Sequence, residues 1–160
     1  MIERMRDYFM KAKELWSQFV GAHPEHENAR YEAWSFGVDP DELAELTLQG
    51  IKTTTTSGHE LYEIDNEALP TENEFNVILD GSDHATCITK TTKVYVTPFN
   101  EVSEQHAFKE GEGDRTLAYW RRVHTDFFLE EYGKNNLVFD EEALVVCEEF
   151  EVVHKAEKDS

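Results

Sequence analysis

The sequence predicts an α+β chain, and three observations carry that prediction. Large apolar residues from Ile2 to Val20 recur at helical spacing. The stretches from Phe75 to Thr97 and from Leu144 to Val153 carry strand patterns. Between them, from Leu117 to Gly133, lies a longer helical run.

In the first helix Ile2, Met5, Phe9, Ala12, Leu15, Trp16 and Phe19 form one face, which docks on something, and Gly21 is its expected stop. The polar stretch 23–30 reads as a loop, and Trp34 and Phe36 precede a turn. Asp39-Pro40-Asp41-Glu42 reads as a helix start, with Asp39 as cap, Pro40 at the first helical position and Glu42 three residues after the cap. That helix is expected to end at Gly50, with Leu43, Leu46 and Thr47 toward the core, so Lys52 emerges just past its C-terminus. Phe75 to Asp80 alternates apolar and polar, Asp80-Gly81 signals a hairpin, and His84 to Thr97 resumes as a strand. Ser103 is expected to cap a short helix through Lys109. After a turn at Gly111, Gly113 and Asp114, a longer helix carries Leu117, Trp120, His124, Phe127 and Phe128, and Gly133 is expected to close it. The last strand is Leu144 to Val153, and residues 155–160 form a disordered tail. No repeat or linker divides the chain, so a single domain over residues 1–154 is expected, the helix of residues 1–20 packing on it.

A chain of 160 residues is long enough to bury a core without staples. The two cysteines, Cys87 and Cys147, sit in apolar strand stretches and are expected to be reduced and buried. Nothing resembles a membrane span or a signal peptide, which points to the cytoplasm and against a membrane partner. With 15 Lys and Arg against 34 Asp and Glu, the formal charge is −19. The averaged field therefore repels phosphate backbones: DNA is not an expected partner, and RNA is a weaker reading that needs a local positive cleft.

Gly50-Ile51-Lys52-Thr53-Thr54-Thr55-Thr56-Ser57 is the densest chemical signal, a lysine followed by five hydroxyl residues. Such a segment grips an anion or arms a nucleophile, since lysine offers three donors and hydroxyls donate to an oxyanion or accept from a base edge. It equally fits a Thr-rich strand with a snorkelling lysine. In a regular strand residues 52 and 54 share a face while Thr55 points away, so a bend is needed to bring Thr55 to Lys52. Glu104 to Asp114 is a second signal, either a source of an acid or base or a solvated acidic helix end. Trp120-Arg121-Arg122 with His124 is the third, and also fits a core helix with a basic outer face. There is no metal-site spacing, P-loop, GxSxG or dinucleotide fingerprint, so no metal and no cofactor is expected.

The order of these motifs resembles the ASCH family, in its longer bacterial branch once catalogued as a domain of unknown function. The resemblance rests on Trp34 and Phe36, Asp41-Glu42-Leu43-Ala44 with Leu48, Gly50-x-Lys52-Thr53-x-Thr55-x-Ser57, and Pro98-Phe99. It continues through Ala107-x-x-Glu110-Gly111-Glu112-Gly113-Asp114 with Leu117, Trp120, Arg121, His124, Phe127 and Phe128. It implies a PUA-like small mixed or antiparallel β-barrel with surrounding helices and a central cleft lined by the Gly-x-Lys segment. The partner it implies is a small nucleoside-like ligand or RNA. A shorter branch is assigned amide hydrolysis on N4-acetylcytidine, and its lysine, its threonine three residues on and its glutamate in an Ala-x-x-Glu context match Lys52, Thr55 and Glu110. Catalysis is expected from these three, with Thr55 as nucleophile, Lys52 as activator or oxyanion donor, and Glu110 orienting them or sharing the proton. Trp34, Phe36, Thr53, Ser57, Arg121 and His124 are the expected substrate contacts. That shorter branch carries a basic residue where this chain has Ser57, so substrate grip is expected to differ. The other functions the resemblance offers are a non-catalytic RNA or modified-base binding module, with Arg121 and Arg122 as its basic rim, and a ribonuclease.

Overall fold

The computed structural model describes residues 10–156, so the first half of the expected N-terminal helix lies outside the described residues. Helix α1 is Ala12–Ala22, followed by β1 Tyr31–Ser35, α2 Pro40–Leu48, β2 Thr54–Gly58 and α3 His59–Ile64. Strands β3 Phe75–Leu79 and β4 Ala85–Pro98 come next, then α4 Glu104–Glu110, α5 Leu117–Lys134 and β5 Leu144–Lys155. The five strands hydrogen-bond in the order β1-β3-β4-β5-β2. Strand β1 runs parallel to β3, with Tyr31 opposite Phe75 and Ser35 opposite Leu79. The β3/β4 pair is antiparallel and shifts register between Ile78 and Leu79. Strand β2 is antiparallel to β5, with Thr54 opposite Glu149 and Gly58 opposite Val145.

Two compact units make up the chain, and β4 and β5 each continue from one into the other. Among the described residues the first holds 10–50, 73–91 and 150–156. Its β3 is buried on both faces: Phe75 and Val77 meet Leu15, Trp16 and Phe19 of α1, while Ile78 joins Phe36, Leu43 and Ala44. The polar position of the Phe75 to Asp80 alternation is therefore not a solvent position. Asn76 is buried, and its side-chain carbonyl accepts from the Trp34 indole at 2.8 Å.

Several element ends differ from expectation for local reasons. Gly21 does not stop α1; the helix runs to Ala22, the backbone N–H of His23 caps it onto Phe19 and Val20, and Pro24 ends it. Asp39 does not cap α2 with its side chain, because it sits in the left-handed region at φ 43°, and the Asp41 carboxylate instead accepts the Gly81 N–H at 2.7 Å. Thr47 faces inward as expected, its hydroxyl donating to the Leu43 carbonyl. Strand β5 continues through Lys155, into the expected tail, and the Ala156 N–H still donates to Thr86. Residues 157–160 of that tail lie outside the described residues.

The second unit holds residues 51–72 and 92–149. Its core is Phe99, Val102, Ala107, Trp120, Phe128, Tyr132, Phe139, Val145 and Cys147. Ser103 caps α4 as predicted, accepting the His106 N–H at 3.0 Å, and Gly111 closes that helix at φ 75°. Thr116 caps α5, which passes through Gly133 to Lys134 instead of stopping there. Both cysteines are free and buried. Among the described residues no helix is long and apolar enough to cross a membrane.

Candidate functional site

Lys52 lies between the α2 terminus and β2, and its approach to α4 follows from backbone geometry. The Thr53 N–H donates to the carbonyl of Lys109 at 2.8 Å, tying the segment to the end of α4. Gly111 allows that closeness, since a Cβ there would stand 2.8 Å from the Ile51 carbonyl oxygen. The lysine side chain turns inward, only 1% exposed, and donates to the Thr54 carbonyl at 3.0 Å, Glu110 Oε1 at 3.1 Å and Glu112 Oε2 at 3.2 Å. Three donors meet three acceptors, which is what lets an ammonium leave water.

Glu110 is 2% exposed and gathers the rest of the site. Its Oε2 accepts from the Thr56 hydroxyl at 2.7 Å and from the Trp120 indole, and lies 3.5 Å from His106 Nε2 and 3.4 Å from His124 Nε2. Thr56 Oγ1 is also 2.7 Å from His106 Nε2, and the Tyr95 hydroxyl is 3.4 Å from His106 Nδ1. His124 stacks on Trp120 and its Nδ1 is 2.8 Å from the Trp120 carbonyl. Burial pushes the Glu110 carboxyl up, but Lys52, then His124, and hydrogen bonds from both histidines outweigh it and hold the group well below the usual carboxylate range. Glu112 goes the other way: burial and then the charge of Glu110 raise it against the pull of Lys52. His124 is raised, its own burial being outweighed by the Glu110 charge.

Glu110, Glu112 and His124 place one ligand atom each within 4.8 Å of one another, a donor set that would suit a divalent cation. Between the two carboxylates the positive charge is that of Lys52. Beside this array opens a polar cleft of about 110 Å³ lined by Thr54, Lys93, Tyr95, Ser103, Gln105, His106, Lys109 and Glu149.

Of the residues expected at the site, Lys52, Glu110 and His124 come together. Thr55 lies on the opposite face of β2 from Thr54 and Thr56, as strand alternation dictates, and the hydroxyl on Glu110 is that of Thr56. Thr53 contributes its backbone, and Ser57 shares a 2.7 Å hydrogen bond with the Tyr62 hydroxyl. Arg121 donates to the carbonyls of Asn100 and Val102, which fastens the start of α5. Trp34 and Phe36 pack edge to face inside the first unit. Sequence reasoning held Thr54 and Thr56 only as members of the hydroxyl run, with residue 54 on the face of Lys52, gave Tyr95 no role, and treated His106 only as part of an acidic run. The i, i+4 spacing of His106 and Glu110 on one helix was the available signal.

The model of the ASCH domain matches residues 32–154. The chain belongs to the ASCH domain family. An ASCH domain structure from Lactobacillus crispatus JV V101 is similar at 30% identity and a TM-score of 0.85, covering 92% of this chain and 99% of that one. Protein EF3133 from Enterococcus faecalis V583 is 35% identical with a TM-score of 0.78, over 88% of this chain and 86% of its own. These likenesses give the ASCH domain described here the mixed α+β, PUA-like fold that its sequence predicts. No curated protein matches the chain.

Proposed function

We propose that this ASCH domain protein binds a small nucleoside-like ligand in the cleft beside Thr54 and His106 and hydrolyses an N-acyl amide on it. The observation that carries the reading is the buried Lys52–Glu110 pair set against a β2 hydroxyl and adjoining that cleft. Burying two charges is costly, and well-packed apolar residues would serve stability as well or better, so a working role accounts for the pair better than a structural one. The cleft's about 110 Å³ is small beside the roughly 300–1,000 Å³ of drug-sized ligand sites, which fits entry of a base and not of a folded RNA surface.

In the proposed reaction a β2 hydroxyl adds to the acyl carbonyl carbon and its proton passes to Glu110. The C–N bond then breaks as the amine takes a proton, and water cleaves the acyl ester to release the acid and restore the hydroxyl. Lys52 keeps Glu110 ionised in a buried place, so the carboxylate orients the hydroxyl by accepting its hydrogen bond; its lowered basicity makes the stay of the proton there brief, ending on the leaving amine. Contact with Glu110 favours Thr56 as the attacking group, while the family resemblance favours Thr55. Release of cytidine from N4-acetylcytidine by the wild type, Thr55→Ala and Thr56→Ala decides between them. Loss of turnover in one folded variant names the nucleophile, and retention in both removes the covalent route.

RNA binding, proposed for the family, is a second reading, favoured here by Lys93 and Lys109 at the cleft. Affinity for a short single-stranded RNA would then fall steeply with salt, and a flat response would reject it.

A further inference from the structure

We propose that His106 is the positioning residue of this site, donating from Nε2 to Thr56 and held in that tautomer by Tyr95, so that the cleft and Glu110 are linked through one imidazole. The proposal rests on the reading of the Lys52–Glu110 array as the working site.

The direction of each hydrogen bond follows from its neighbour. Thr56 Oγ1 stands 2.7 Å from both Glu110 Oε2 and His106 Nε2, and a hydroxyl has one proton to give. Glu110, held ionised by Lys52 and His124, only accepts, so the Thr56 proton points to it. Thr56 oxygen is then an acceptor toward His106, whose Nε2 must carry a hydrogen. A neutral imidazole carries one, which leaves Nδ1 bare toward the Tyr95 hydroxyl at 3.4 Å. Burial, and then the neighbouring Cys147 thiol, push the Tyr95 phenol well up, so it keeps its proton, and the one proton is shared between Nδ1 and the Cys147 sulfur that also bonds Tyr95. The chain Tyr95, His106, Thr56, Glu110 thus runs one way from β4 to the buried pair.

Tyr95 and His106 line the cleft, and His106 also touches Trp120 edge to face from α5. Lys93, Lys109 and Glu149 are the charged groups of the cleft wall, and Lys109 shares the helix of His106 with Glu104 and Glu110, of which Glu110 lies against the imidazole. A cleft ligand that donates to Nδ1 takes over the part of Tyr95, and His106 then keeps the Thr56 hydroxyl aimed at Glu110.

The test is nitrogen-15 spectroscopy of the imidazoles at neutral pH, with the His106 signals identified by their loss in His106→Gln. A pyrrole-like Nε2 and a pyridine-like Nδ1 are expected, and in Tyr95→Phe the Nδ1 signal moves further toward that of an unbonded pyridine-like nitrogen. A pyridine-like Nε2, or two pyrrole-like nitrogens, overturns the assignment. In the kinetic arm, with N4-acetylcytidine as substrate, His106→Leu loses about 10²-fold in kcat with KM unchanged. His106→Gln, which still offers an N–H, recovers part of that loss. Equal loss in both folded variants, or loss confined to KM, removes the positioning role. Absence of turnover in the wild type would count against the proposed reaction, and the spectroscopic arm would still uphold or overturn the tautomer.

Discussion

Around Lys52 one positive charge serves two carboxylates, and they are not equivalent. Glu110 collects hydrogen bonds from Thr56 and Trp120 besides the lysine, while among the described residues the carboxylate of Glu112, with 21% of its side chain exposed, accepts from the lysine alone. The better-solvated carboxylate, in the sense of bonded donors, takes the charge and its neighbour is pushed toward the neutral form. The signs for stability follow from linkage. Glu110 is lowered on folding, so its contribution is present above the ordinary carboxylate range and is lost as pH falls through its folded value. Glu112 is raised, so its contribution is present below that range and is lost as pH rises through its folded value. Denaturant unfolding across the acid-to-neutral range should show Glu110→Gln losing about 3–5 kcal/mol at neutral pH, as expected when one partner of a buried pair is removed. Glu112→Gln should gain stability from acid to neutral pH more steeply than wild type; a shallower gain would mean Glu112 is the better-held carboxylate. None of this could be read from the acidic run 104–114, where a solvated helix end and a buried carboxylate look alike. The match of Glu110 to a family glutamate, not its spacing, singled it out.

At the scale of elements, the site depends on the junction of the Gly50-x-Lys52 segment with the end of α4. Gly111 is required twice over, by its φ of +75° and by the Ile51 carbonyl that a Cβ would strike. Gly111→Ala should cost more than about 1 kcal/mol in thermal or chemical unfolding and weaken ligand binding with it. An unchanged melting curve would show that the segment yields freely and that the junction is not what fixes Lys52. Strands β3, β4 and β5 and helices α2, α4 and α5 were legible because periodicity, caps and turn residues agreed. Strand β1 was not, since Tyr31–Ser35 is a short edge strand that pairs in parallel with the distant β3. Helix α3 spans six residues with no buried side chain, too short to show a period. The choice among Thr54, Thr55 and Thr56 needed the strand's facing, which five consecutive hydroxyl residues conceal because every register reads the same.

For the molecule as a whole, a charge of −19 and a cleft carrying Lys93 and Lys109 pull in different directions. Both lysines pair with Glu149, at 3.7 Å and 3.3 Å, so even the cleft's positive charge is largely answered within the protein. A small uncharged nucleoside meets no repulsion from that field, whereas an RNA strand meets it along its whole length. Membership of the ASCH family fixes the fold and leaves the reaction to the site. The most direct measurement is release of cytidine from N4-acetylcytidine by wild type and by Lys52→Ala, at matched folding by circular dichroism. Turnover in the wild type that disappears in the folded variant is the predicted result. Turnover that persists without Lys52, or a wild type that releases no cytidine, would contradict the assignment of the buried Lys52–Glu110 pair as the working centre.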